Sequence, residues 1–158
     1  MNINPKRLIF TSGATEANNL GLVGHARAKA QLIGKPGHII TVSTEHHAVL
    51  DPLRQLQKEG FRLTELQPNK EGLINIEQLS EAFEKDTFLV SVMAANNEIG
   101  VLQPIGDIGS FCKRKGIAFH SDAAQAFGYL DLDPDKFRID LMSLSAHKIY
   151  DLKVLGLW

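Results

Sequence analysis

A chain of 158 residues, 44% of them hydrophobic and 22% charged, has the composition of an ordinary globular domain with apolar material enough for one core. Its 17 basic and 18 acidic residues are interspersed, and the formal charge of -1 leaves no electrostatic footprint for nucleic acid or for an anionic membrane surface. The single Cys112 excludes an internal disulfide, no apolar run approaches the roughly 20 residues of a membrane span, and the start MNINPKRLIF lacks the features of a signal peptide, so a soluble cytoplasmic protein is expected.

Short β-branched runs alternate with longer helix-patterned stretches along the chain. This rhythm predicts an α/β fold, a mostly parallel sheet with flanking helices. RLIF reads as a strand and TSG as a turn. From Ala14 the stretch ATEANNLGLVGHARAKAQL carries apolar residues at helical spacing, with Glu16 placed to satisfy first-turn amides. GKPG breaks that helix and HIITVS is a buried strand. DPLRQLQKEG is then a helix with Pro52 in its first turn and Gly60 as its stop. FRLTEL alternates as a strand, INIEQLSEAFEKD is amphipathic, and TFLVSVMA is a buried strand. PIGDIGSFCKRKG returns to helical spacing, and the strands IAFHSD and DLMSLS follow. No repeat, low-complexity tract or linker interrupts the pattern.

Open sheets of this kind bind ligands beyond the carboxyl ends of their strands. Thr44, Glu45 and His46 follow HIITVS there, Asn96 and Asn97 follow TFLVSVMA, Asp122 ends IAFHSD, and Ser145, His147 and Lys148 follow DLMSL. Position alone leaves blander readings open. An aspartate after a strand is commonly a turn or cap, SGAT before a helix is commonly an N-terminal turn, and a Lys beside a His is usually solvated. His46 and His47 also read as a surface pair.

The stretches FTSGATEANN, STEHHAVLD, NNEIGVLQPI, HSDAAQAFG and SLSAHKIY, in this order and spacing, resemble the cysteine desulfurases. These are a class V aminotransferase-like branch of the enzymes that use pyridoxal 5'-phosphate on a fold type I large domain. The resemblance covers nearly the whole chain and implies a site. Lys148 matches the Schiff-base lysine and Asp122 the carboxylate that keeps the ring nitrogen protonated. Ala14 and Thr15 match the phosphate loop at a helix start, with Ser145 and His147 on its other side. His46 matches the group that stacks on the ring and moves protons, and Asn97 and Gln125 match the partners of its phenolic oxygen. The implied reaction converts L-cysteine to L-alanine and leaves persulfide sulfur on an enzyme cysteine for iron-sulfur cluster assembly. The implied partners are a second copy in a homodimer and a scaffold or sulfur-acceptor protein, with neither nucleic acid nor membrane.

Departures from the family pattern shape the remaining expectations. Residues 1–158 read as a single partial large domain, without the small domain, the loop bearing the nucleophilic cysteine or the full N-terminal segment. Cys112 does not match that nucleophile and reads as a structural cysteine, as His25, His38 and His120 read as structural histidines. After HKIY the family continues with a Gly-Pro-Lys-Gly turn, whereas residues 151–158 read DLKVLGLW. A one-nucleotide slip in codons for the family turn reproduces DLKVLGL, which makes the tail a frameshift candidate, tested by sequencing the locus. An isolated chain of this kind is expected to be inactive. The alternatives are a non-catalytic remnant acting as an interaction fragment, and another class V enzyme such as a selenocysteine lyase or aminotransferase. A metal site from His46, His47, His120 and His147 is the least favoured, since the helical pair spacing of zinc ligands is lacking.

Overall fold

The structure is a computed structural model that describes residues 5–96 and 98–146 and the backbone of 155–157. The runs read as strands become β1 (Ile9–Thr11), β2 (His38–Val42), β3 (Arg62–Leu66), β4 (Thr87–Ser91), β5 (Ala118–Asp122) and β6 (Leu141–Ser143), and β7 (Leu155–Leu157), which the sequence reading did not anticipate, follows them. They form one seven-stranded sheet of order β1-β7-β6-β5-β4-β2-β3. All pairs from β3 across to β6 are parallel, and β7 runs antiparallel between β6 and β1. The α/β class expected from the rhythm of the chain is the class observed.

Among the described residues five α-helices connect these strands: α1 (Ala14–Ile33), α2 (His47–Lys58), α3 (Ile76–Ala82), α4 (Ile105–Lys115) and α5 (Pro134–Phe137). Strands covered on both faces must be apolar on both, and β2 and β4 are buried at every position. Alternation then sends neighbours to opposite layers. Ile39 and Leu89 join Leu22, Val49, Leu53 and Leu56 from α1 and α2. Ile40 and Val90 join Leu79, Ile108 and Phe111 from α3 and α4. Each such fully buried side chain contributes roughly 1.5–3 kcal/mol of transfer free energy.

Two histidines pin strands together inside these layers. His38 on β2 bonds Thr87 of β4 through Nδ1 at 2.8 Å and Thr64 of β3 through Nε2 at 2.9 Å. His120 on β5 bonds Ser91 of β4 at 2.8 Å and Ser143 of β6 at 3.1 Å. Burial lowers the pKa of both, that of His120 to about 3. Both rings are therefore neutral and structural, as the sequence suggested.

The helix starts and stops carry two differences from the sequence reading. α2 begins at His47 rather than at Asp51, because the His46 ring caps it by accepting the Ala48 amide at 3.1 Å. Pro52 consequently sits inside the helix rather than in its first turn. Glu16 accepts from the amide and hydroxyl of Ser12, at 2.6 and 2.7 Å, and so fastens the turn ahead of α1. Gly60 stands at a φ of 96° just beyond α2, the left-handed conformation that makes glycine its stop.

Candidate active site

The carboxyl ends of β2, β4, β5 and β6 and the N-terminus of α1 open onto one cavity of about 430 Å³. Ala14, Thr15, His46, Asp122, Gln125 and Ser145 all line it. A larger cavity, of about 640 Å³, lies at the amino ends of β4 and β5 beside Lys29, Lys85, Lys113 and Lys115. The strand-end rule favours the smaller one.

Each wall has a local cause. Gly13 gives α1 no side-chain cap, so the first-turn amides at Ala14 and Thr15 meet the cavity with the positive end of a 20-residue helix. His46 is held at the rim by its own capping bond, which uses Nδ1 as acceptor and puts the proton of the neutral ring on Nε2. Asp122 closes the floor at the end of β5 and is 6% exposed. Its Oδ1 accepts the Ala124 amide at 2.9 Å and its Oδ2 accepts Asn18 Nδ2 at 2.7 Å. Burial raises its pKa, while those two bonds and His46 pull it back down. Gln125 follows from the turn after β5, and Ser145, 1% exposed, from the chain after β6.

Asn97, His147 and Lys148 lie outside the described residues. Two groups at the site carried no role in the sequence reading. Asn18 was legible only as part of a helical pattern, yet it is fully buried and holds Asp122. Glu45 was read as one polar residue at a strand end, and it is a buried carboxyl whose Oε1 accepts the Met93 amide. Its spacing gave no signal, because the partner lies in a different segment, just beyond the end of β4. Among the described residues no group of three or more His, Cys, Asp or Glu is arranged to hold a metal ion. His46 stands at the rim of the cavity, and His120 is enclosed between β4 and β6. No helix among the described residues is long and apolar enough to cross a membrane.

Comparison with known proteins places this geometry among relatives. A family model described as Aminotransferase class-V matches residues 1–157. A mitochondrial cysteine desulfurase of Candida maltosa is 52% identical over 156 residues, which is 99% of this chain and 32% of that protein. The cysteine desulfurase IscS of Dechloromonas aromatica is 49% identical over 156 residues, 99% of this chain and 38% of that protein. Among solved structures, SspA in complex with cysteine matches with a TM-score of 0.92 and 42% identity, over 98% of this chain and 44% of that one. The chain thus spans about a third of the length of the curated relatives it matches.

Proposed function

The chain belongs to the aminotransferase class-V family, and from that membership we propose that it forms the partial large domain of a cysteine desulfurase that binds pyridoxal 5'-phosphate. The observation that supports this reading most is the one cavity shared by Ala14, Thr15, His46, Asp122, Gln125 and Ser145. Its donors suit the group. A buried carboxylate suits a protonated ring nitrogen, an uncapped helix start suits a phosphate, and an imidazole at the rim suits a ring face.

When bound, pyridoxal phosphate supplies an electron sink that makes bonds at an amino acid's α-carbon breakable. The chain's own groups would divide the remaining work. Asp122 holds a proton at the ring nitrogen by its negative charge. The amides of Ala14 and Thr15, with Ser145 and His147, hold the phosphate. Gln125 and Asn97 would bond the phenolic oxygen, and Lys148 would hold the cofactor through its amine. With Nδ1 engaged by the Ala48 amide, Nε2 of His46 is the nitrogen through which it moves protons in the cavity. The roles of Asn97, His147 and Lys148 rest on the motifs NNEIG and SLSAHK.

The substrate we propose is L-cysteine, a reading supported by the neighbour SspA in complex with cysteine. The wider proposal includes a homodimer, delivery of sulfur to an iron-sulfur scaffold or acceptor protein, and a cytoplasmic location, which imaging of a tagged chain against a mitochondrial marker would test. The cofactor step is tested by mixing the chain with pyridoxal phosphate, following its absorption, reducing with borohydride and mapping the label. Label confined to Lys148 and lost in Asp122→Ala is the expected result. Label spread over surface lysines, or none, would remove the reading.

A further inference from the structure

Glu45 occupies the position before His46 and is 6% exposed. Its Oε1 accepts the Met93 amide, whereas its buried Oε2 has no hydrogen-bond partner among the described residues. Asn96 Nδ2 donates to the Thr44 carbonyl at 2.9 Å and fastens the same turn to the hairpin after β4. Glu45 therefore ties the segment that carries His46 to the one whose Met93 and Ala95 line the cavity.

Asp122, from β5, is the charged group that acts on Glu45, and His46 is its titratable neighbour in the chain. Two coupled carboxylates in a dry site cannot both ionise cheaply, so the better-solvated one takes the charge. Asp122 has a hydrogen-bond donor on each oxygen, the Ala124 amide and the Asn18 carboxamide. Among the described residues Glu45 has one amide and one bare oxygen, and an ion left with a bare buried oxygen is the costliest arrangement available. We propose that Glu45 is a positioning residue carried as the neutral carboxylic acid, so that Asp122 alone bears the negative charge at this end of the cavity. Burial together with Asp122 keeps Glu45 protonated well above the usual 4.5, in the same sense. The inference rests on the proposed cofactor in one respect: a single anion is what a single protonated ring nitrogen requires.

The test is infrared spectroscopy of the cofactor-free chain at neutral pH, with glutamate side chains carrying a carbon isotope label, for the wild type and for Glu45→Gln. A label-sensitive carboxylic-acid band in the wild type that is lost in Glu45→Gln is expected. The linkage has a definite sign, because a carboxyl whose folded pKa is raised loses its stability contribution as pH climbs above 4.5. Glu45→Gln should thus melt at or above the wild-type temperature at pH 7, with the difference closing toward pH 4.5. Absence of the band, its persistence in Glu45→Gln, or a Glu45→Gln chain that cannot fold would overturn the proposal, since a neutral isostere must fit where a neutral acid sits. Titration of the same samples with pyridoxal phosphate separates the two ideas. A band without cofactor binding would sink the cofactor reading and leave the proton on Glu45.

Discussion

His46 shows how much one side chain can be asked to do. It caps α2 with Nδ1 and lines the cavity with the rest of its ring. Asparagine also caps well, so His46→Asn should leave denaturant stability within a few tenths of a kcal/mol, whereas His46→Ala should cost about 1 kcal/mol. Equal losses in the two variants would mean that the cap contributes nothing. Cys112 is the opposite kind of residue. It is 1% exposed, and burial, with Asp140 nearby, pushes its thiol up to about 12. Thiolate is scarce there at neutral pH, so iodoacetamide should modify Cys112 only after unfolding.

At the scale of elements, the histidine pins tie sheet stability to pH. His120 is held neutral between β4 and β6 with its pKa lowered to about 3. A base whose folded pKa is depressed stabilises the fold above its unfolded pKa, near 6.5, and loses that contribution as pH falls toward the folded value. Denaturation midpoints should therefore decline below about pH 6.5, by up to roughly 1.4 kcal/mol per pH unit from this ring. A slope unchanged in His120→Gln would show that the proton goes elsewhere. Helix packing makes an equally local prediction through two glycines. A Cβ on Gly109 of α4 would overlap the backbone carbonyl of Phe137 at the end of α5, whereas one on Gly24 of α1 would meet nothing within 4 Å. Gly109→Ala should cost roughly 1–3 kcal/mol by overpacking, and Gly24→Ala should gain roughly 0.5–1 kcal/mol from helix propensity.

At the scale of the whole molecule, the proposed cradle and the only cysteine of this sequence stand apart. Cys112 belongs to the layer built on α3 and α4, away from the cavity residues at the strand ends. Sulfur transfer from a bound cysteine needs an accessible thiolate within reach. The chain alone, given pyridoxal phosphate and L-cysteine, should accordingly form no persulfide and release no alanine. Alanine released at a rate abolished by Lys148→Ala would refute this.

The order of strands and helices was readable because apolar periodicity is a property of neighbours in the chain. HIITVS and TFLVSVMA were recognisable as doubly covered strands before any partner was known. The start of α2 was missed because its cap is an imidazole, a group that composition associates with surfaces or catalysis rather than with helix termini. Ala14, Thr15, His46, Asp122, Gln125 and Ser145 were named from motifs, and the sequence by itself fixed which residues stand at the strand ends. Only the tertiary structure decided that they share one cavity, that Asn18 and Asp122 bond across a separation of 104 residues, and that Glu45 is sealed against Met93. Burial and hydrogen bonding between distant strands are created by packing, and local sequence carries no record of the partner's place.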